Sequence, residues 1–129
     1  METRCNQPLV IISVDTFYQE KYSAPVEGKY VHAYRITIEN KSEFPIRLLK
    51  RSWKIMQGNG LIKKVKGEGV LGQQPIIKPS GTFQYISWSS LQNNFGKMEG
   101  VYYMVNTITE EQFSVKIPLF LLIAPDLLN

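Results

Sequence analysis

The feature that most constrains this chain is a run of residues from Tyr30 to Glu39 whose side chains alternate with a period of two. One face of the run carries Tyr30, His32, Tyr34, Ile36 and Ile38. This alternation predicts a β-strand, and no segment of the chain shows a sustained stripe of period 3.6. The 13 Ile and 9 Val residues, set against 3 Ala, also favour strands over helices. The sequence therefore predicts an all-β protein.

Further alternating runs, separated by turn residues, predict the remaining strands. They are Leu9 to Tyr18, Pro45 to about Met56, Leu61 to about Leu71, Thr82 to Trp88, Met98 to Asn106 and Gln112 to Leu121. Gln57-Gly58-Asn59-Gly60 is the strongest hairpin signal, whereas Gln19 to Gly28 and Leu91 to Lys97 are predicted loops. About seven antiparallel strands at this spacing predict a β-sandwich, and the length suits a single domain over residues 1–129.

Two features of the sequence bear on where the protein resides. The longest apolar stretch, Leu119 to Ala124, is far shorter than the roughly 20 residues that span a bilayer, which argues against a membrane segment. The N-terminal residues do not resemble a secretory signal, and Cys5 is the only cysteine, so no intrachain disulfide is expected. We expect a cytoplasmic protein that does not engage a membrane.

The segment Gly67-Glu68-Gly69-Val70-Leu71-Gly72 has the glycine spacing of a dinucleotide-binding loop. That motif requires a helix immediately after it, and Pro75 and Pro79 are incompatible with a helix at this point. We therefore expect the glycines to serve a turn or bulge at the end of a strand. An anion-binding nest formed by the exposed amides of this loop is left open as the alternative.

A set of motifs extends over nearly the whole chain, from about Leu9 to Leu122. They include Pro45-Ile46-Arg47-Leu48-Leu49, Arg51-Ser52-Trp53, Gly58-Asn59-Gly60, Val65 through Pro75, Phe83-Gln84-Tyr85, Met98-Glu99-Gly100, Met104-Val105 and Ile117-Pro118. Taken together, these motifs closely resemble the signature of the bacterial ApaG family, also called CorD. Each piece alone is unspecific, but their joint order is specific.

The resemblance implies an immunoglobulin-like, fibronectin type III-like β-sandwich, in agreement with the strands predicted above. It also implies a link to cobalt resistance and magnesium efflux, and to a genetic neighbour that hydrolyses diadenosine tetraphosphate. Related domains in eukaryotic F-box and polymerase-interacting proteins look like protein-binding modules. The resemblance therefore implies a non-enzymatic protein–protein interaction domain.

Residues suited to catalysis or metal binding are scarce in this sequence. His32 is the only histidine, and it shares a strand face with Tyr34 and Ile36, which favours a packed histidine over a base or ligand. One Cys and one His cannot form a zinc site of the usual kind, and no clustered acidic loop indicates magnesium. We expect no enzymatic activity, no metal site and no cofactor.

Basic residues are concentrated in the segment 47–66, which contains seven of the 15 Lys and Arg residues and no acid. The segment is either a solubilising face that prevents edge pairing or a platform for an anionic partner. In the platform interpretation the candidate anion-binding residues are Arg47, Arg51, Lys64, Lys66, Gly67, Gly69 and Gly72. Arg47 and Arg51 are favoured because a guanidinium grips phosphate or carboxylate through two parallel bonds, although Arg51 alternates in phase with Trp53 and is alternatively packed on the core.

The leading functional hypothesis is thus a module that binds another protein through a sheet face or edge. The alternative is a small-anion site, for pyrophosphate or a nucleotide, at the Gly67 to Gly72 loop and the basic hairpin. Nucleic acid is a weaker candidate because no nucleic-acid-binding signature accompanies the isoelectric point of about 9.2. A homodimer formed by edge pairing or sheet stacking is also left open.

Overall fold

The computed structural model describes residues 9–125, and their regular structure is almost entirely β-strand. Eight strands follow one another along the chain. They are β1 (Val10–Tyr18), β2 (Tyr30–Asn40), β3 (Ile46–Gln57), β4 (Ile62–Glu68), β5 (Ile76–Ile77), β6 (Thr82–Leu91), β7 (Phe95–Asn106) and β8 (Gln112–Ile123). Two 3₁₀ turns, Glu20–Tyr22 and Pro25–Glu27, lie between β1 and β2. Within residues 9–125, no helix has the length and apolar character needed to span a membrane.

The strands form two antiparallel sheets that face each other as a sandwich. One sheet has the order β1-β2-β6, and the other has the order β4-β3-β7-β8 with the short β5 also paired to β3. On one side of the sandwich β1 lies beside β8. On the opposite side β4 and β6 each pair with a single described neighbour, and residues of both strands line one groove, so within residues 9–125 their outer edges lie next to each other without a shared strand ladder. We call the space between β4 and β6 the open seam.

The interior is filled by alternate side chains from the inner faces of both sheets, as the period-two pattern requires. Ile36 of the small sheet and Met104 of the large sheet are completely buried. Trp53 packs edge-on against Tyr34 across the sandwich and against Phe120 within its own sheet, at ring-centroid distances of 5.7 and 5.8 Å. Burial of this aromatic cluster and of the aliphatic residues around it supplies the main stabilisation of the fold.

A β-bulge at Leu49 sets which residues of β3 reach the core. The register of β3 against β7 shifts between Leu48 and Lys50, so one residue of β3 has no partner at this point. The extra residue inverts the alternation: Leu48 is buried before the bulge, whereas Arg51 and Trp53 face inward after it. Lys50 therefore points outward. In a strand without a bulge it would share the inward face of Leu48, two residues before it.

The structure confirms the predicted all-β, immunoglobulin-like sandwich, and the run from Tyr30 to Glu39 is the central strand of the small sheet. The count of about seven strands is corrected to eight, because Ile76–Ile77 forms a short strand against β3 that the sequence pattern did not reveal. The single cysteine, Cys5, lies outside the described residues.

Two predicted boundaries are wrong, each for a local reason. The segment Leu91 to Lys97 is not a loop, because Leu91 is buried and ends β6 while β7 already begins at Phe95, leaving only residues 92–94 as a turn. The fourth strand ends at Glu68 rather than near Leu71. Gly69 and Leu71 both adopt positive φ, which is incompatible with an extended strand.

Candidate functional site

The hairpin of β3 and β4 divides the basic segment between two surfaces. Residues directly opposite each other in an antiparallel pair share a face. Lys54 pairs with Lys64, and Ser52 pairs with Lys66, on the outer face of the large sheet. On the inner side Ile55 pairs with Lys63. The fold therefore divides the basic segment, because Arg51 and Lys63 belong to the open seam and not to the outer face.

The outer face of the large sheet carries a set of basic residues that we call the basic face. Its members are Arg47, Lys50, Lys54, Lys64, Lys66 and Lys116. Glu68 and Glu99 lie on the same surface, but within residues 9–125 neither carboxylate comes within ion-pair distance of these basic groups. Lys50 lies opposite Glu68 and Lys54 lies opposite Glu99 in the strand register, so these charges are partly balanced. Six basic groups against two carboxylates still leave the basic face with a net positive charge.

Two shallow depressions run across the basic face. One, of about 540 Å³, lies around Lys50 and Tyr103, and the other, of about 440 Å³, lies between Lys54, Lys64 and Lys116. Tyr103 is 43% exposed and sits beside Lys50 in the register of β3 and β7. The basic face thus combines an exposed aromatic ring with surrounding ammonium groups, a combination suited to an anionic partner surface.

Arg51 does not project into this platform. Its Nη1 donates hydrogen bonds to the carbonyl oxygens of Glu68 and Gly69, at 3.2 and 2.8 Å, and so ties β3 to the end of β4. The guanidinium lies against Gly67, where a Cβ would stand only 2.6 Å from Nη1. The absence of a side chain at Gly67 therefore leaves space for the guanidinium. Arg51 is partly buried, as one of the two interpretations of its shared strand face with Trp53 predicted.

The Gly67 to Gly72 segment forms the predicted turn after a strand. The amide of Gly69 donates to the carbonyl of Leu49 at 2.7 Å, and the amide of Val70 donates to the carbonyl of Gln73 at 2.8 Å. A side chain at Gly69 would collide with the Gln73 carbonyl, with a Cβ at 1.9 Å, and the backbone there has φ of 59°. Two amides of the hypothetical nest thus already donate to backbone carbonyls, one in β3 and one in the turn, and the short strand β5 follows in place of a helix.

The fold brings only some of the predicted anion-binding residues close to one another. Lys64 and Lys66 project from the outer face of β4, whereas Arg51 and the glycine loop lie at the end of the same hairpin with their polar groups turned toward each other. Arg47 is exposed near the other end of β3, beside β5. The candidate residues therefore do not converge on one point, and their proposed role stays a prediction.

His32 is packed in the interior, as the face it shares with Ile36 predicted. It is 1% exposed, and its ring contacts Tyr18 edge-on at a centroid distance of 5.2 Å. Burial lowers the pKa of His32 below its ordinary value of 6.5, and Nε2 has no hydrogen-bond partner among the described residues. Within residues 9–125, no group of three or more His, Cys, Asp or Glu side chains is placed to hold a metal ion.

The open seam contains a groove of about 310 Å³ that sequence reasoning missed. Arg51 and Lys63 line it from the large sheet, and Ser87 and Ser89 line it from β6. At its base, burial raises the pKa of Tyr34 despite a hydrogen bond with Ser87 and the nearby charge of Arg51. The only indication of this site in the sequence was that Arg51 shares a strand face with Trp53. The groove itself depends on two strands that are distant in sequence.

Comparison with known proteins gives consistent results for most of the chain. The family model described as the ApaG domain matches residues 20–106. Protein ApaG of Pectobacterium atrosepticum is 43% identical over 124 residues, covering 96% of this chain and 98% of the relative. Protein ApaG of Edwardsiella ictaluri is 42% identical over 122 residues, covering 95% and 97%. A crystal structure of the ApaA protein of Bordetella pertussis superposes with a TM-score of 0.88 at 36% identity, covering 92% of this chain and 95% of that one.

Proposed function

Because the chain belongs to the ApaG-domain family, we propose that it is a non-catalytic module that binds an acidic surface of another protein through its basic face. The observation that carries this proposal is the row of Lys50, Lys54, Lys64 and Lys66, which have no ion-pair partner among the described residues. A net positive charge on an exposed sheet face steers an oppositely charged surface toward it.

The arrangement around Tyr103 supports a protein surface as the partner. Interfaces derive much of their affinity from a few aromatic or Arg anchors surrounded by contacts that exclude water. Tyr103 occupies such a central position, with Lys50 on one flank and Ser114 on the other. The lysines around it would then contribute association rate and selectivity for carboxylates more than affinity.

Affinity purification from a native lysate, followed by quantitative mass spectrometry, tests the proposal. The informative variant replaces Lys50, Lys54 and Lys66 by Glu, and the matched control replaces Lys21, Lys29 and Lys78 by Glu. Both variants change the net charge equally, but only the first alters the basic face. We expect the same partners with the wild type and the control and their loss with the first variant. Recovery of no partner, or equal loss with both variants, would contradict the proposal.

The biological setting that we propose is the cytoplasm, in cobalt and magnesium homeostasis, as the ApaG resemblance implies. In that setting the protein acts through its partner and not through an ion of its own. A strain lacking the protein should become cobalt-sensitive and should be rescued by the wild type and by the Lys21, Lys29 and Lys78 control. Rescue by the variant of Lys50, Lys54 and Lys66 would separate the cobalt phenotype from the basic face.

A second candidate function, binding of pyrophosphate or a nucleotide, is favoured by one observation. The depression lined by Lys54, Lys64, Lys66 and Lys116 places several ammonium groups around a volume of about 440 Å³, with Glu99 as the one carboxylate among its described lining residues. Since the amides of Gly69 and Val70 already donate to the carbonyls of Leu49 and Gln73, this depression suits an anion better than the glycine loop does. Calorimetric titration with pyrophosphate, ATP and diadenosine tetraphosphate tests it, and the absence of both heat and a melting shift at millimolar ligand would exclude it.

A further inference from the structure

The terminal strands of the two sheets, β1, β6, β4 and β8, differ in how they are protected from pairing with another chain. β1 and β8 lie beside each other, and β8 also contains a proline and a register shift against β7. β4 borders the open seam with Lys63, Lys64 and Lys66. β6 borders the same seam with the sequence TFQYISWSSL, which has neither a charged residue nor a proline. Its register with β2 is continuous over its whole length, so it has no bulge either.

The direction of the backbone groups of β6 follows from its neighbour β2. Asn40 donates to Gly81, just before β6, whereas Lys41 donates to Leu9, just before β1. Because successive residues of a strand direct their N–H and C=O groups to opposite sides, the even-numbered residues of β2 bond to β6. The register pairs them with the odd-numbered residues of β6, for example Ile36 with Tyr85.

The even-numbered residues of β6 therefore direct their N–H and C=O groups away from β2. Gln84, Ile86 and Trp88 are the central members of this set. Among residues 9–125 no strand pairs with this side of β6. Natural proteins normally protect such an edge with charges, prolines or bulges, and β6 has none of these devices. We propose that the open edge of β6 is a strand-addition site, where an extended acidic segment of a partner protein pairs antiparallel with β6.

The two sides of the added strand would meet different surroundings. Side chains on its inner face would enter the groove of the open seam, where Arg51 and Lys63 are basic and the described lining residues include no carboxylate. Side chains on its outer face would lie beside Ile86 and Trp88, which are each 51% exposed. The segment that fits thus alternates acidic residues with β-branched or apolar ones.

Charge distinguishes this occupant from a second copy of the chain. Two copies joined through β6 would bring together two molecules of net charge +4, each with Arg51 and Lys63 at its seam. An acidic segment relieves that charge instead of doubling it. The inference rests on the proposed function for the nature of the partner, an acidic protein, and adds the form in which part of that partner binds.

The test uses a fluorescent, terminally blocked peptide of sequence Glu-Thr-Glu-Val-Glu-Thr-Glu-Val and the wild-type protein. In an antiparallel pairing, the Thr and Val amides of the peptide face β6, whereas the Glu amides face away. N-methylation of the Thr and Val amides should weaken binding at least about tenfold, while N-methylation of the Glu amides should leave it nearly unchanged. Equal binding of the two methylated peptides, or no binding of the parent peptide, would overturn the inference.

A variant of the protein tests the same edge by changing β6 instead of the peptide. Ile86→Pro removes an amide on the open side of β6 without removing a donor to β2, and Ile86→Thr is the matched control that keeps the amide. We expect loss of peptide binding with Ile86→Pro and retention with Ile86→Thr. A wild-type dimer that Ile86→Pro converts to a monomer would assign the edge to a second copy and overturn the acidic-segment proposal.

These outcomes are separable from failure of the proposed function. If the methylated peptides bind equally while the variant of Lys50, Lys54 and Lys66 still loses its cellular partner, strand addition is wrong and the basic-face proposal stands. If the peptides discriminate but that variant keeps its partner, the basic-face proposal is wrong and the β6 edge stands.

Discussion

β4 and β6 are both edge strands of the open seam, yet they have opposite chemistry. β4 carries lysines on both of its faces. Lys63 lies on the inner side, and Lys64 and Lys66 extend the basic face to the border of the seam. β6 is longer and has no charge. A lysine-rich edge resists pairing with another strand because burying ammonium groups against a second backbone is costly. The β4 side of the seam therefore supplies positive charge, whereas the β6 side supplies an uncharged edge with which no described strand pairs.

The largest expected effect concerns the aromatic cluster around Trp53. Trp53 is 5% exposed and packs against Tyr34, Tyr102 and Phe120, whereas Trp88 on the outer face of β6 is half exposed. Trp53→Ala should lower the free energy of unfolding by about 3–5 kcal/mol. Trp88→Ala should lower it by only about 1 kcal/mol, because it loses mainly an edge contact with Tyr22. Urea denaturation measures both, and equal costs would contradict the assignment of Trp53 to the core.

The next effect concerns the connection of β4 to β3. Arg51→Met removes the two hydrogen bonds to the carbonyls of Glu68 and Gly69 and should cost about 2 kcal/mol. Amide exchange should accelerate at the end of β4 more than in β6. Arg47→Met is the control, since Arg47 is exposed and should change stability by less than about 0.5 kcal/mol. Uniform acceleration in β4 and β6 would show that Arg51 does not act locally.

A pH dependence of stability is expected from the buried tyrosines Tyr85 and Tyr102, on the inner side of β6. The hydroxyls of Tyr85 and Tyr102 are hydrogen-bonded to each other, and burial raises the pKa of Tyr85 to about 12. The unfolded chain loses this proton near pH 10 while the native protein keeps it, so stability is complete below pH 10 and falls as the pH rises toward 12. From Tyr85 alone the loss should be about 1 kcal/mol for each pH unit in that range.

Urea unfolding at a series of alkaline pH values checks this loss. The double variant Tyr85→Phe and Tyr102→Phe should show a flatter dependence on pH above 10. Tyr103→Phe, at an exposed position, is the control for removal of a tyrosine hydroxyl from the surface. A double variant with the same slope as the wild type would assign the alkaline loss to other groups.

The smallest effect on stability, but a direct one on the comparison, comes from removing the charge of β4. Replacing Lys63, Lys64 and Lys66 by Ser should change the free energy of unfolding by less than about 0.5 kcal/mol. It should nevertheless increase self-association, because a second edge would then lack protection. Analytical ultracentrifugation compares this variant with one in which Lys21, Lys29 and Lys78 become Ser. Equal association of the two variants would show that the lysines of β4 do not protect its edge.

Much of the fold follows from local sequence pattern, and the exceptions have physical causes. The run from Tyr30 to Glu39 identifies the central strand because both the hydrophobic face and the turn residues around it are local. The segment at Leu91 was misassigned because its polar neighbours hid a buried Leu whose partner strands are distant. The bulge at Leu49 was missed because its cause is the register with β7, which no local pattern specifies.

The candidate site was less predictable than the fold. The concentration of Lys in the hairpin correctly indicated a basic surface, since alternation places Lys54, Lys64 and Lys66 on one face. The inward turn of Arg51 and the approach of β4 to β6 depend on how the two sheets pack. Those features arise from contacts between residues far apart in sequence and required the structure.

We infer that β6 accepts an added strand and that β4 does not. Amide hydrogen exchange, measured residue by residue with and without the Glu-Thr-Glu-Val-Glu-Thr-Glu-Val peptide, reports both edges in one experiment. We expect slower exchange at Gln84, Ile86 and Trp88 on peptide binding and unchanged exchange along β4. Slower exchange along β4 with no change at those three amides of β6 would contradict it.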